Sequence, residues 1–422
     1  MTKICIVSRN PPAANPRAIK EAEALANAGY DVTIVHASPG GWSDTMSADV
    51  VPENVRAIGA PFGPRAPLAV RVRQLAGRKS VRGLARVFGV SEPLAFRGAG
   101  DVASDLFRLA LKTKSALYIG HYVEGLAAAA RAARAHGAMY AFDAEDFHPG
   151  DLPDEPASAF DNALLDAIER THLPGCAYVT AAAPGIADAY AKQYNIPRPT
   201  VVLNTFSKSL APSAASFSSG SKAAQASPSV YWFSQTIGKT RGLENAIRAI
   251  AQSQSRPHLY LRGEAAPGYQ QTMESLASEL GVADRLHFLP PGPPDEMVAL
   301  AAPYDAGLVG EIGHTFNRRI ALTNKQFTYL LAGLPVFMSD VPGHSAFANS
   351  AQGAAFLYRT EDPTSLANAM DALLLDETVL AAARERALML GQNEFCWEKD
   401  QKLLLGTIEA ALATSQHAGA AL

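Results

Sequence analysis

Lys239, Arg241 and Lys325 carry the strongest chemical signal in the chain. Lys239 and Arg241 lie in Ser234-Gln235-Thr236-Ile237-Gly238-Lys239-Thr240-Arg241-Gly242, between an apolar strand pattern and a helical pattern that starts at Leu243. A glycine such as Gly238 lets the backbone pass close to a ligand, and a helix N-terminus favours anions. The two bases add charge-assisted donors suited to phosphate. Lys325 lies in Thr323-Asn324-Lys325-Gln326-Phe327-Thr328-Tyr329-Leu330-Leu331-Ala332-Gly333-Leu334-Pro335-Val336. Thr323 and Gln326 have the spacing of a capping box, so a helix should begin at Asn324 or Lys325, and Gly333 and Pro335 should end it. A lysine in the first turn opposes the helix dipole unless an anion is near. Two loops at the carboxyl edge of one predicted sheet would then hold a diphosphate. The competing reading is two ordinary crossovers with surface bases. There is neither a Walker loop nor a GxGxxG fingerprint, which counts against an NTPase or a dehydrogenase.

A second group gathers at two other predicted strand ends. His121 closes one of them, and Asp143, Glu145 and Asp146 crowd three carboxylates at the next. Such a cluster can bind a metal, act as a base or orient a hydroxyl, and it can equally cap the chain that follows. A capping hydrogen bond is also the ordinary alternative for His121. Arg17 stands near a helix start, where it meets either an anion or solvent.

The elements that must position these groups alternate regularly. Strand patterns cover 4–8, 32–37, 55–60, 116–120, 139–143, 178–182 and 200–203 in the first half, then 230–233, 258–263, 286–289, 306–309, 336–339 and 354–357. Most are continuous apolar runs, as strands buried on both faces should be. Helical patterns lie between many of them, including 16–28 before Gly29 and 125–136 before Gly137, so right-handed crossovers and parallel sheets are expected. Ligands of such sheets bind outside the carboxyl ends of the strands. Serine, alanine and proline dominate residues 207–229, which reads as a linker.

With 422 residues the chain has room for two domains, and a net charge of −3 gives no reason to expect nucleic acid as a partner. Cys5, Cys176 and Cys396 are too scattered for a metal site and do not suggest a disulfide framework. The N-terminus does not read as a signal peptide, and no long apolar run suggests a membrane span, so a cytoplasmic location is expected. One segment departs from the alternation. Arg65, Arg71, Arg73, Arg78, Lys79, Arg82 and Arg86 interleave with Leu68, Val72, Leu75, Val81, Leu84 and Phe88, with no acidic residue among them. Basic amphipathic segments lie on anionic membrane surfaces; the alternative is a solvated helical excursion, interrupted by Gly77, Gly83 and Gly89.

The sequences Val230 to Glu244 and Asn324 to Val336 resemble the donor-domain signatures of GT-B glycosyltransferases, in particular the retaining family-4 group. The likeness extends to Pro16-Arg17 and the residues up to Val32, to Tyr118-Ile119-Gly120-His121, to Phe142-Asp143-Ala144-Glu145-Asp146, and to Asn204. It implies an α/β chain with two doubly wound Rossmann-like domains facing across a cleft. An acceptor domain would span 1–206 and a nucleotide-sugar domain 230–395. The C-terminal helix and tail, 396–422, would pack back toward the first domain.

The resemblance implies further that Arg241 contacts the donor diphosphate, that Lys325 and the Asn324 amide lie near phosphate or sugar, and that Gly238 gives the backbone room. Thr328 stands where relatives have the glutamate that holds the ribose, and Ile320 stands at the partner glutamate's place. Glu311 and Asn317 are the candidates to recognise the sugar instead, and Glu264 is a candidate nucleotide contact. Thr236 replaces a family arginine whose charge Lys239 restores. His121 would lie beside the reacting sugar, with Arg17, Asp143 and Glu145 on the acceptor side. The implied activity is retaining transfer of a sugar, of the hexosyltransferase type, from a nucleotide-diphosphate donor to a glycan, lipid-linked or small-molecule acceptor in cell-surface polysaccharide or glycoconjugate synthesis. Neither a metal nor another cofactor is expected, and the enzyme would sit at the inner membrane face through its basic segment. The alternatives are a sugar-nucleotide epimerase of the same fold and a binding subunit without catalysis.

Overall fold

The computed structural model describes residues 1–153, 155–212 and 227–420. The chain divides into two compact units, Met1–Val202 with Gln401–Leu422, and Leu203–Asp400. Residues from Leu203 on belong with the second unit because Thr205 and the Leu203 amide bond to Asp400, while Phe206 bridges Cys396. Most of the expected linker, 213–226, lies outside the described residues.

The first unit is built on a parallel sheet of strands β1 (Lys3–Ser8), β2 (Asp31–Ser38), β3 (Val55–Pro61), β4 (Leu117–His121), β5 (Met139–Ala144), β6 (Val179–Ala181) and β7 (Thr200–Val201), in the order β3-β2-β1-β4-β5-β6-β7. The second is built on β8 (Ser229–Ile237), β9 (His258–Ala265), β10 (Leu286–Leu289), β11 (Ala306–Val309), β12 (Val336–Ser339) and β13 (Ala355–Tyr358), ordered β10-β9-β8-β11-β12-β13. All strand pairs are parallel, and the strand order of each sheet reverses once, between β1 and β4 and between β8 and β11. Those reversals are the switch points where doubly wound sheets bind ligands.

The apolar runs fill both faces of each sheet. In β8, Val230 and Trp232 pack with Leu243, Ile247 and Ile250 of the helix Leu243–Gln252, whereas Tyr231 and Phe233 pack with Phe327, Tyr329 and Leu330. Alternate residues of one run therefore serve two cores, which is why the strand does not alternate in polarity.

Two local expectations are corrected. β8 does not stop at Phe233. After a register shift it pairs again, Thr236 opposite Glu264 and Ile237 opposite Ala265, so the loop before the helix is short. The basic segment is one unbroken helix, Leu68–Phe88, and only Gly89 (φ 85°) ends it. A glycine inside a helix costs about 1 kcal/mol relative to alanine, which weakens a helix without stopping it. Here Arg73, Arg78 and Arg82 tie the helix to Asp105, Asp101 and Asp161 on neighbouring elements.

Candidate functional site

In the second unit the chain leaving β8 and the chain leaving β11 meet at the switch point. Gly242 has φ 68°, and a Cβ there would stand 2.2 Å from the Gly310 carbonyl oxygen. Only glycine fits, in conformation and in space. At Gly238, expected to give backbone room beside a diphosphate, the nearest protein atoms to a would-be Cβ are 3.9 Å away, so space is open there. The close approach of chain to chain is a different one, between Gly242 and Gly310, which the sequence reading passed over.

This contact brings Arg241 to Glu311. The Arg241 NH1 group donates to both carboxylate oxygens, at 3.1 and 3.2 Å, and Lys325 Nζ stands 3.9 Å from Glu311 Oε1. Burial alone would raise the Glu311 pKa, but Lys325, Arg241 and Arg318 outweigh it and hold the carboxyl below its ordinary value. Lys325 is buried too, and desolvation brings its pKa down to about 8 despite Glu311. Its ammonium lies 5.5 Å from the Trp232 ring centre. Ser339 Oγ donates to the Glu311 carbonyl at 2.6 Å, and the ring of buried His344 sits 3.0 Å from the Ser339 carbonyl. Desolvation lowers the His344 pKa to about 4, so the ring is neutral at pH 7.

Lys325 comes from the helix Asn324–Leu331, whose stop is as expected. Gly333 has φ 71°, and the Leu334 amide donates to the Tyr329 carbonyl at 2.8 Å. Its start is not a capping box: the Thr323 hydroxyl donates to the Gln326 side-chain oxygen and accepts no backbone N–H. Thr328 is fully buried, and its hydroxyl donates back to the Asn324 carbonyl at 3.2 Å. The ribose contact expected of it has no exposed hydroxyl to make. Asn317 is buried in the short helix Phe316–Ile320. Lys239 and Glu264 are exposed; Glu264 lines a cavity of about 530 Å³ at the carboxyl ends of β9 and β10, with Gly263, Gln270, Phe288 and Pro290.

In the first unit the expected groups meet in a buried network. Arg17 donates to Asp143 through two nitrogens, at 2.6 and 2.7 Å, and to the Val202 carbonyl at 2.7 Å. Thr180 adds a hydroxyl bond to Asp143. His121 Nε2 donates to Glu21 Oε2 at 2.7 Å, and its Nδ1 stands 3.4 Å from Asp143. Desolvation opposes charge on His121, but Asp143 and Glu21 overcome it and raise the pKa, favouring the imidazolium. Burial would likewise raise Asp143, but Arg17 and His121 bring it to about 2. Arg17, Glu21, His121 and Asp143 are all under 5% exposed. The surface or anion-binding roles expected for Arg17 are corrected: its guanidinium holds the ends of β5 and β7 to the helix Pro16–Asn27. Glu21 was missed, although it falls one turn after Arg17 beside apolar Ala18, Ala22 and Leu25. Glu145 lies beyond the network, where Tyr122 donates to it at 3.4 Å, and burial raises its pKa. Among the described residues no group of three or more His, Cys, Asp or Glu is arranged to hold a metal ion.

Two switch-point sites on two doubly wound units define the GT-B fold. Comparison with solved structures agrees. HepE of Anabaena, solved with UDP and with UDP-glucose, superposes over 97% of this chain and 100% of its own with a TM-score of 0.72 for the UDP complex, at 16% identity. Sucrose-phosphate synthase of Thermosynechococcus elongatus superposes over 98% of this chain and 100% of its own, TM-score 0.74, again at 16% identity. Residues 14–205 match the family model of the glycosyl transferase 4-like domain. A D-inositol 3-phosphate glycosyltransferase of Nocardia farcinica is 31% identical over 157 residues, which is 36% of this chain and 33% of that protein. The chain thus matches about a third of that relative's length.

Proposed function

We propose that the protein is a retaining glycosyltransferase that moves a sugar from a nucleotide-diphosphate donor to a glycan, glycolipid or small-molecule acceptor. The observation that carries the reading is the meeting of Arg241 and Lys325 at the switch point of the second sheet. In transfer from such a donor, negative charge develops on the departing diphosphate. Fixed cations in a partly desolvated site stabilise that charge more in the transition state than in the ground state. The donor's base would enter the cavity beside Glu264, and the Asn324 amide would meet phosphate or sugar. The first unit would take the acceptor near Glu145, with the His121 network fixing the strand ends beneath it. No protein nucleophile is assigned.

The decisive assay incubates purified protein with a panel of nucleotide sugars and sugar acceptors and follows nucleotide release and the configuration of the product. Release that depends on both partners, with the donor configuration kept, supports the reading. Binding without release on any pair would favour a nucleotide-sugar-binding subunit, a reading that the Ile320 and Thr328 replacements support. A changed sugar with no acceptor present would favour an epimerase.

The acceptor reading extends to a lipid-linked glycan at a membrane, in polysaccharide or glycoconjugate synthesis, with the protein cytoplasmic and peripheral. The helix Leu68–Phe88 supports it: Leu68, Val72, Leu75, Leu84, Val87 and Phe88 are exposed among its arginines. Among the described residues no helix is long and apolar enough to cross a membrane. Co-sedimentation with anionic vesicles, lost on Val87→Ser with Phe88→Ser, is the expected result; equal binding to neutral vesicles would remove the idea.

A further inference from the structure

We propose that Glu311 is the resident counter-anion of the second unit's site: it holds Arg241 and Lys325 in the empty protein and yields them when a nucleoside diphosphate binds. The inference rests on the donor reading given above. Glu311 is 2% exposed, so an ionised carboxylate at this depth must be paired. Yet its pairing is incomplete. One guanidinium nitrogen serves both oxygens at 3.1 and 3.2 Å, and Lys325 stays at 3.9 Å, beyond hydrogen-bond distance. The same chain shows what a committed pair looks like: Arg17 reaches Asp143 with two nitrogens at 2.6 and 2.7 Å. The strong arginine–carboxylate geometry is this fork. Arg241 also keeps 26% of its side chain exposed, which leaves part of the guanidinium open to a second anion.

The charges around Glu311 point the same way. Arg241 faces it from the loop after β8, Arg318 from Phe316–Ile320, Lys325 from Asn324–Leu331, and His344 from Pro342–Ser350, with the Tyr358 phenol of β13 also nearby. His344 is neutral at pH 7, and burial keeps the phenol protonated. Glu311 is thus the carboxylate set against the cations Arg241, Arg318 and Lys325. The cationic surplus is reserved for an incoming anion. A diphosphate carries enough charge to replace Glu311 on both bases, whereas a monophosphate must share them with it. Glu311 would therefore act as a specificity residue that raises the preference for diphosphate over monophosphate.

Isothermal titration of the full chain with UDP and UMP, as wild type and as Glu311→Gln, tests this. The wild type should prefer UDP. Glu311→Gln should bind UDP about tenfold more tightly, because a like charge has gone, and should bind UMP more tightly by a larger factor. An unchanged or weakened UDP affinity in a folded variant overturns the exchange. A UDP complex of the wild type in which Arg241 still donates to Glu311 also overturns it, and needs no variant. In the wild type at pH 8, UDP binding should take up protons, because Lys325, with a pKa near 8, gains a stronger anion; titrations in two buffers of different ionisation enthalpy read this, and no uptake contradicts the exchange. If the wild type binds none of UDP, GDP, ADP and dTDP, the donor reading itself falls; if it binds one of these diphosphates and Glu311→Gln does not tighten it, only the exchange falls.

Discussion

Replacing Asp143 with asparagine should destabilise the first unit by about 3–5 kcal/mol, the usual cost of leaving a buried charge without its partner. The geometry justifies the high range. Asp143 and Arg17 have side chains only 4% and 5% exposed, and the substitution removes the charge behind two bonds at 2.6 and 2.7 Å. It also strips His121 of a carboxylate 3.4 Å away. For a unit of this size each kcal/mol moves Tm by about 2–4 °C, so the first unfolding transition should fall by about 6–20 °C. Urea denaturation followed by circular dichroism gives the same quantity. The pH dependence fixes its origin. The folded carboxyl titrates near 2 and the unfolded one near 3.8, so the contribution is complete above that higher value and disappears as pH falls toward 2. Asp143→Asn should flatten this acid limb. The double variant Arg17→Met, Asp143→Leu removes both charges together and should lose much less stability than Asp143→Asn. A loss under about 1 kcal/mol in Asp143→Asn, or a double variant at least as unstable, would refute the architectural role assigned to this pair.

Lys325→Ala should lower kcat/KM by about 100- to 1000-fold, as removal of a transition-state donor does, while urea unfolding shows no loss of stability because a poorly solvated lysine is gone. Gly242→Ala should destabilise the second unit by about 2–3 kcal/mol, through its left-handed backbone and the Gly310 carbonyl 2.2 Å from the new carbon, and should weaken nucleotide binding by moving Arg241 away from Lys325 and the switch point. Donor affinity should fall as pH rises through about 8, where Lys325 loses its charge, and the decline should be absent in Lys325→Ala. The same depressed pKa makes Lys325 a cost to folding below about 8 that is relieved toward 10.5, so stability at this site rises with pH while binding falls.

The sheets were readable because each strand is a short apolar run ended by turn residues, and both faces demand apolar side chains. The cations were readable for a related reason: Lys325 sits where a helix start disfavours it. What the one-dimensional pattern hid depends on distance. Gly238 and Gly242 look equivalent in sequence, and the left-handed backbone of Gly242 and the Gly310 carbonyl beside it separate them. Arg17 and Asp143 are 126 residues apart, so the sequence shows one as a charge near a helix start and the other as a member of a carboxylate cluster, with nothing to join them. Thr328 was read from its place in a motif, but a hydroxyl on a buried helix turn has a nearer acceptor in its own backbone. Gly77 and Gly83 were given too much weight as helix breakers, since ion pairs from other elements were invisible in the segment itself.

The central claim is that the second unit holds a nucleoside diphosphate on Arg241 and Lys325. It is tested most directly by titrating the purified chain, as wild type and as Lys325→Ala, with UDP, GDP, ADP, dTDP and CMP. The account predicts saturable binding of at least one diphosphate by the wild type, with that affinity reduced at least tenfold in Lys325→Ala. Binding by no nucleotide in the panel, or equal affinity in both proteins, would contradict it.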